Sequence, residues 1–160
     1  MRNITLSQVT TLDNMDAHPL VGTWNLISCN ATRRNGQILN IYGENPVGRL
    51  FYDEAGNMSV HLMADGRPPF KNPYKFRATD EEMRSAYQGY EAYFSTYEVD
   101  SVSCTIRHRV LGGLFPNWTG STQTRYYRFD GPDHLTLSSE PFDAPPGSHT
   151  VVTLVWERLS

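Results

Sequence analysis

The chain has 160 residues, a length typical of one domain with a single sizeable core. Hydrophobic residues make up 39% of the sequence and aromatic residues 12%, a composition that excludes a disordered chain. Lys and Arg number 14 against 17 Asp and Glu, so the formal net charge is −3, and the basic residues form no block. A nucleic-acid-binding protein needs a basic field to neutralise phosphates, so we expect no nucleic acid among the partners.

Residues 1–18 are polar and lack sustained periodicity, so we expect an N-terminal arm there and a folded domain over residues 19–160. The arm has no hydrophobic stretch of the signal-peptide type. No apolar run approaches the roughly 20 residues that are needed to cross a bilayer. We therefore expect a cytoplasmic protein that does not engage membranes.

Alternation of apolar and polar residues predicts strands over the first part of the domain. Residues 20–33 have strand periodicity, which places Trp24 and Leu26 on one face and Cys29 on the other. The sequence ILNIY at 38–42 predicts a short returning strand. The runs GRLFY and MSVHLM flank the turn sequence DEAGN, and this arrangement predicts a β-hairpin.

The middle of the chain predicts a loop followed by one helix. Residues 65–75 contain three prolines, which can neither donate a ladder hydrogen bond nor continue a helix. Thr79 precedes three acidic residues, and Glu82 stands at the third helical position, which together form a capping box in favourable interaction with the helix dipole. Gly89 predicts the end of this helix.

Five further strand-like runs follow, at residues 90–99, 104–114, 122–129, 133–139 and 150–159. The chain therefore has about eight predicted strands and one short helix. Turn signals at intervals of about 8–12 residues are typical of a β-sandwich or of a closed antiparallel barrel. Composition does not choose between these two architectures.

Known chemical motifs are missing from the sequence. Cys29 and Cys104 are too few for a disulfide framework and lack C-x-x-C spacing, so we expect free thiols. The five histidines show neither HxH nor HExxH spacing, so we predict no metal site. Glycine-rich nucleotide-binding motifs and the GxSxG motif are also missing, and we expect no cofactor.

Several blocks of sequence, in order along the chain, resemble the small lipocalin-like proteins of bacteria and fungi. Gly22-Thr23-Trp24 on the first predicted strand resembles the GxW signature of lipocalins. The blocks that follow are NPVGRLFYDEAGNMSVHLM, RPPF, GYEAYFSTYEVD, LFPNWTG and TLVWERL, so the resemblance extends over about residues 20–159. It implies an all-β, lipocalin-like, antiparallel up-and-down β-barrel of about eight strands with one short helix and an internal cavity. A barrel of this size can hold one small ligand.

Relatives with such barrels include carriers and also small enzymes of secondary metabolism that fold a reactive intermediate. The resemblance therefore implies a hydrophobic small molecule as the partner. The chain lacks the signal peptide and the paired cysteines of secreted lipocalin carriers, which favours an intracellular role. A homodimer is compatible with the sequence.

Alternation assigns side chains of the predicted strand 90–99 to one of two faces. One face carries Glu91, Tyr93 and Tyr97, and the other carries Tyr90 and Phe94. We favour the first face as the inner one, because aromatic residues around a few polar groups are typical of a ligand pocket.

Two later strands predict further inward residues. On the strand after Cys104 we favour His108 as inward, because the opposite face would bury Arg107 and Arg109 without partners. On the strand 122–129 the face with Tyr127 carries more aromatic surface, and Arg125 follows it inward. A buried guanidinium needs an oxygen partner from a carboxylate, a carbonyl or a ligand, and Glu91 is the nearest candidate by face.

Four of these residues are candidates for catalysis. We expect His108 to donate or accept a proton, Tyr97 to donate a hydroxyl hydrogen bond, and Arg125 to stabilise the charge of an enolate or phenolate. Glu91 is a reserve base, because burial beside tyrosines would raise its pKa.

The candidate ligand contacts are mostly aromatic: Trp24, Tyr52, His61, Tyr93, Trp118 and Tyr127. Each also has a purely structural interpretation. Trp24 can fill the barrel floor, the tyrosines can pack with their hydroxyl groups bonded to backbone, and His61 can point to solvent. His108 can equally be a hydrogen-bonded structural histidine.

The leading hypothesis is a cofactor-independent cyclase or isomerase that acts on a polyketide- or terpenoid-type intermediate. Confinement of a flexible substrate would supply most of the rate, with general acid–base help from the four candidate residues. The alternative is a non-catalytic carrier in which the same residues only orient the ligand. A third interpretation is an interaction domain whose barrel is filled with side chains.

Overall fold

The computed structural model describes residues 18–160, so the predicted N-terminal arm lies almost entirely outside the described residues. The elements are β1 (Gly22–Thr32), β2 (Ile38–Asn40), β3 (Val47–Tyr52), β4 (Asn57–Met63), a 3₁₀ helix (Lys75–Arg77), α1 (Asp80–Gln88), β5 (Tyr90–Asp100), β6 (Thr105–Gly113), a second 3₁₀ helix (Pro116–Trp118), β7 (Thr122–Phe129), β8 (His134–Ser139) and β9 (Val151–Arg158). No helix in this part of the chain is both long and apolar enough to cross a membrane.

The strands form a closed antiparallel barrel, which confirms the fold implied by the resemblance. Strands β3 to β9 pair in chain order, and β1 closes the sheet by pairing with both β3 and β9. The short β2 pairs only with the far end of β1, so the barrel itself has eight strands. Closure pairs every edge of the eight-stranded sheet, which is one way to avoid exposed edge strands.

The predicted β-hairpin is confirmed between β3 and β4. Tyr52 pairs with Met58 across a turn of residues 53–56. The Asp53 carboxylate accepts a hydrogen bond of 2.7 Å from the backbone N–H of Asn57, and Gly56 has a φ of 85° that favours glycine.

The predicted helix is also confirmed at both ends. Thr79 caps α1, its side chain accepts from the Glu82 backbone N–H, and the Glu82 carboxylate accepts from the Thr79 backbone N–H at 2.8 Å. The same carboxylate accepts from the Lys71 backbone N–H at 2.8 Å and so ties the proline-rich loop to the helix. None of the α1 residues is buried, so the helix lies on the outside of the domain.

Strand β1 contains a β-bulge, so the predicted placement of Trp24 and Cys29 on opposite faces is wrong. The register against β9 shifts between Leu26 and Ser28, so Ile27 is an extra residue on β1. A bulge interrupts the alternation of faces, because one strand gains a residue that has no partner. Trp24 and Cys29 therefore both face the interior, at 0% and 2% exposure, where simple alternation predicts opposite faces.

One end of the barrel is plugged by tightly packed side chains. Leu20 and Trp24 are fully buried there, and the Trp24 indole N–H donates to the Leu20 carbonyl at 2.9 Å. The Arg158 guanidinium lies 4.1 Å from the centre of a Trp24 ring and donates to the Val21 carbonyl at 2.9 Å. At the opposite end the strands are joined by longer segments, residues 33–46, 64–89, 114–121 and 140–150.

Candidate ligand-binding site

The barrel encloses a cavity of about 510 Å³ that lies toward the end with the longer connections. Its rim includes Tyr42, Trp118 and residues 140–142, all from those connections. Much of its wall is apolar and comes from four strands: Leu50, Met58, Val60, Leu62, Leu137, Leu154 and Trp156. Sites for single small molecules have volumes of roughly 300–1,000 Å³. The barrel is therefore not filled by its own side chains, contrary to the third sequence interpretation.

A chain of three hydrogen-bonded side chains runs from the plugged end toward the cavity. The Tyr52 hydroxyl lies 2.8 Å from His108 Nε2, and the Tyr93 hydroxyl lies 2.9 Å from His108 Nδ1. All three residues are buried, with exposures of 3%, 1% and 7% for Tyr52, His108 and Tyr93. Tyr93 and His108 line the cavity, whereas Tyr52 lies beneath it.

The need of each buried polar group for a partner determines which group donates in each of these two hydrogen bonds. Within residues 18–160 the Tyr52 hydroxyl has His108 Nε2 as its hydrogen-bond partner and no other. A fully buried O–H without an acceptor is costly, so Tyr52 donates to Nε2. The neutral imidazole then carries its proton on Nδ1 and donates to the Tyr93 oxygen. The Tyr93 O–H is thereby left free to donate toward the cavity.

Histidine 108 is held in its neutral form. Burial, reinforced by the positive charge of Arg125, lowers the pKa of His108 to about 3. Both ring nitrogens are occupied by tyrosine hydroxyl groups. This arrangement favours a positioning role for His108 over the direct proton transfer predicted from the sequence.

Arg125 provides the positive charge of the site. It lines the cavity from β7, and its Nη1 donates to the Thr124 carbonyl at 2.8 Å. Within the described part of the chain no carboxylate forms an ion pair with its guanidinium. Burial raises the pKa of Tyr93, and Arg125 opposes this shift through its charge and through hydrogen bonding to the phenol. Tyr93 therefore sits between His108 and Arg125, with one hydrogen free to donate.

A second polar group lies elsewhere on the wall. Burial raises the pKa of the half-buried Glu91 carboxyl, whose Oε1 accepts from the Ala92 backbone N–H at 3.0 Å. Burial, with a smaller contribution from the charge of Glu91, also raises the pKa of Tyr42. Burial raises the pKa of the Cys29 thiol to about 12, so the thiol stays protonated. The charge of Glu91 thus acts on Tyr42 and on Tyr93, and within the described residues Glu91 forms no ion pair with Arg125.

The sequence missed Tyr42 and Cys29 as cavity residues. The bulge in β1 turns Cys29 inward, and no local sequence pattern predicts this bulge. Tyr42 lies just after β2, in the sequence ILNIY, and reaches the cavity because this segment folds over the barrel end.

Tyr97 lies on the predicted inner face but does not line the cavity. Its hydroxyl donates to the Asp53 carbonyl at 2.6 Å, and its ring packs edge-on against Tyr52 at 4.8 Å. Tyr97 therefore belongs to the plugged end, because the strand carries it four residues beyond Tyr93 toward the β5–β6 turn. A hydroxyl already bonded to backbone at that end does not face a ligand in the cavity.

Three other predicted contacts also lie away from the cavity. His61 is exposed on the outer face of β4, where Nδ1 contacts the Tyr90 hydroxyl at 2.9 Å. Trp24 belongs to the plug described above. Tyr127 packs edge-on against Phe129, which itself contacts Trp24. Trp118 does line the cavity and packs edge-on against Tyr93 with ring centres 5.7 Å apart.

Within residues 18–160 no group of three or more His, Cys, Asp or Glu side chains is arranged to hold a metal ion. The polar groups that line the cavity include hydroxyl and amide groups, the Arg125 guanidinium and the carboxyl groups of Glu91 and Glu140. These groups can bind and polarise an oxygen atom of an otherwise apolar molecule.

Comparison with known proteins gives a curated relative and several solved structures, among them the two that follow. The 4'-hydroxy-3'-methoxypropiophenone carrier protein ppsC of Aspergillus oryzae is 31% identical over 108 residues, covering 64% of this chain and 96% of that protein. A redesigned beta barrel aligns with a TM-score of 0.43 and 12% identity over 90% of this chain and 95% of its own. The structure of EF1p2_mFAP2b bound to DFHBI aligns with a TM-score of 0.42 and 13% identity over 88% and 94%.

A family comparison covers nearly the whole described domain. Residues 21–159 match the family described as a lipocalin-like domain. The matched range begins just before β1 and ends just after β9. The match confirms the resemblance seen in the sequence, and this chain belongs to the lipocalin-like domain family.

Proposed function

We propose that the barrel binds one small, largely apolar molecule through a carbonyl or phenolic oxygen and carries it without converting it. The observation that supports this most directly is the apolar cavity of about 510 Å³ with the Tyr93 hydroxyl and the Arg125 guanidinium on its wall. The apolar wall favours the hydrocarbon part of such a ligand, because each CH₂ group removed from water contributes about 0.8 kcal/mol.

The polar groups select an oxygen atom within that ligand. A hydrogen bond from the Tyr93 hydroxyl contributes about 0.5–1.5 kcal/mol, and one from the charged Arg125 contributes about 1.5–3 kcal/mol. Because His108 already donates to the Tyr93 oxygen, the hydroxyl is oriented before the ligand arrives. Such preorganisation reduces the entropy lost on binding.

The name of the curated relative supports an aromatic ketone as the ligand class. That protein is named as a carrier of 4'-hydroxy-3'-methoxypropiophenone, which has a ketone at one end of an aromatic ring and a phenol at the other. The cavity likewise has one polar group at Tyr93 and Arg125 and a second at Tyr42 and Glu91. A ligand with two separated oxygens matches this distribution.

Calorimetric titration with 4'-hydroxy-3'-methoxypropiophenone tests the proposal. We expect binding at a single site and a roughly 3- to 10-fold weaker affinity for Tyr93→Phe, from one lost hydrogen bond. Tyr126→Phe is the matched control, because Tyr126 is exposed on the outer face of β7. No binding to the native protein, or equal losses in both variants, would contradict a site at Tyr93.

A cofactor-independent cyclase or isomerase is the second candidate function. What favours it is a carboxyl of raised pKa, Glu91, in the same cavity as Arg125 and Tyr93. Glu91 would take a proton from the carbon beside a ligand carbonyl, and Arg125 and Tyr93 would hold the enolate oxygen. Return of the proton to another carbon would give an isomer of equal mass.

Hydrogen exchange in deuterated water separates the two functions. An enzyme of this kind incorporates deuterium beside the carbonyl faster than buffer alone, and Glu91→Gln abolishes the acceleration. A carrier leaves the isotopic pattern of the bound ketone unchanged. Incubation with a metabolite extract extends the test, since an enzyme consumes one compound while an isomer of equal mass accumulates.

A further inference from the structure

We propose that the cavity takes its ligand as an anion, the conjugate base of an acidic phenol or enol, with the negative oxygen between the Arg125 guanidinium and the Tyr93 hydroxyl. This inference rests on the proposed ligand binding and adds the charge state of the ligand. It follows from one cation, Arg125, that forms no ion pair within residues 18–160.

Arg125 has more hydrogen-bond donors than partners. A guanidinium carries five N–H groups, and Arg125 donates one of them, from Nη1, to the Thr124 carbonyl. Within residues 18–160 it forms no ion pair. A half-buried cation beside apolar walls attracts an anion more strongly than it would in bulk water, because the local dielectric response is weaker.

Five of the seven titratable groups around Arg125 are uncharged at neutral pH. The seven groups line or underlie the cavity and come from β1, the β2 segment, β3, β5, β6 and the end of β8: Cys29, Tyr42, Tyr52, Glu91, Tyr93, His108 and Glu140. Burial raises the pKa values of the thiol and of the three tyrosines, so all four are uncharged at neutral pH. His108 is neutral for the reason given above.

Neither of the two carboxyl groups forms an ion pair with the guanidinium. Glu140 is exposed at the cavity rim, and the charge of Glu91 acts on Tyr42 and, less strongly than Arg125 does, on Tyr93. Arg125 affects the pKa values of Tyr52, Tyr93 and His108 but is not among the causes of the shift at Glu91. The positive field of Arg125 is therefore concentrated at the Tyr93 and His108 side of the cavity.

The consequence is a change in the acidity of the bound ligand. An oxygen that accepts from Tyr93 and faces Arg125 is stabilised more as an oxyanion than as a neutral phenol. The pKa of the ligand should therefore fall on binding. Affinity should rise as the pH increases from the bound pKa to the free pKa of the ligand, and it should level off above the latter.

The probe is 4'-hydroxy-3'-methoxypropiophenone, whose phenolate absorbs at longer wavelength than its phenol because the charge is shared with the ketone. Spectroscopic titration of the bound and the free compound against pH measures both pKa values. We expect the bound pKa to be lower by one unit or more, equivalent to at least tenfold tighter binding of the phenolate than of the phenol. The methyl ether, 3',4'-dimethoxypropiophenone, serves as the ligand that cannot ionise.

Variants assign the effect to the guanidinium. Arg125→Met should abolish the shift and weaken binding of the phenolate more than binding of the methyl ether, whereas Arg125→Lys should keep part of the shift. Arg109→Met is the matched control, since Arg109 is exposed on the outer face of β6. Should Arg125→Met fail to fold, the pH dependence of affinity in the native protein still decides the question.

Each outcome has a distinct meaning. A lowered bound pKa that depends on Arg125 supports anion binding. An unchanged or raised bound pKa overturns it, while ligand binding as such stands. If neither the phenol nor its methyl ether binds at any pH, the proposed function and this inference fail together.

Discussion

The two ends of the barrel differ in how fully their polar groups are satisfied. At the plugged end, Arg158 covers the Trp24 ring, donates to the Val21 carbonyl at 2.9 Å and donates to the Pro132 carbonyl at 3.2 Å. Inside the cavity, Arg125 donates to the Thr124 carbonyl and has no ion-pair partner within the described residues. An arginine saturated by its own chain stabilises the fold, whereas an arginine with spare donors is available to a ligand.

The segments that join the strands also differ between the two ends of the barrel. At the plugged end the strands are joined by four-residue turns at 53–56, 101–104 and 130–133. At the cavity end the longer segments supply Tyr42, Trp118 and Phe142 to the rim. Short turns join the strands at one end, and the longer segments at the other end surround the cavity, as is common where a scaffold presents a binding site on its loops.

Breaking the plug should have the largest effect. Trp24→Ala removes a fully buried indole and its hydrogen bond, and we expect a loss of about 3–5 kcal/mol in the free energy of unfolding. Urea denaturation measures the loss, and titration of the protein that remains folded should show ligand affinity within about threefold of the native value. A large loss of affinity with little loss of stability would mean that Trp24 contacts the ligand.

Acidification should destabilise the protein through His108. Its pKa is 6.5 in the unfolded chain and about 3 in the folded one, so the unfolded state binds more protons between these values. The stabilisation is complete above pH 6.5 and is lost as the pH falls toward 3, which amounts to about 2 kcal/mol between pH 7 and pH 5. His108→Phe should lack this contribution when urea denaturation is compared at the two pH values. Equal slopes for both proteins would show that His108 does not stay neutral.

The two tyrosines on His108 should separate stability from affinity. Tyr52→Phe leaves a buried imidazole nitrogen without a donor, and we expect it to cost about 1–3 kcal/mol of stability with little effect on ligand binding. Tyr93→Phe should weaken ligand binding, because its hydroxyl faces the cavity, and it should also cost stability, because it leaves the His108 Nδ1–H without its acceptor. Thermal denaturation and calorimetric titration of both variants measure the two effects. Weaker binding in Tyr52→Phe than in Tyr93→Phe would reverse the proposed direction of the hydrogen-bond chain.

The smallest effect is expected at the helix outside the barrel. Thr79→Ala removes the N-cap of α1, which costs about 1 kcal/mol of local helix stability. Because no α1 residue is buried, the amide protons of the helix should exchange faster while the barrel amides keep their protection. Hydrogen–deuterium exchange with mass spectrometry resolves the two regions. Faster exchange in β5 and β6 as well would show that the helix stabilises the barrel.

Local signals were enough to predict the hairpin, the capped helix and the alternation on most strands. The Thr79 and Glu82 capping box and the Asp53 turn depend on residues a few positions apart, so the sequence alone defines them. Closure of the barrel by β1 and β9 brings together the two ends of the domain, and only the family resemblance indicated it. The bulge at Ile27 has no local signature, and it alone moved Cys29 to the interior.

Periodicity assigns a side chain to a face but does not give its depth along the barrel. Tyr93 and Tyr97 share the inner face of β5, yet one lines the cavity and the other packs at the plugged end. The contact between Tyr52 and His108 joins residues 56 positions apart, so no short motif could reveal it. Depth depends on strand stagger, which is set by pairing across the whole sheet.

The most direct test of the account is a crystal structure of the protein with 4'-hydroxy-3'-methoxypropiophenone. We predict the aromatic ring among the apolar side chains of the cavity and one ligand oxygen about 3 Å from both the Tyr93 hydroxyl and the Arg125 guanidinium. A ligand bound outside the barrel, or inside it with its oxygens away from both groups, would contradict the assignment of this site.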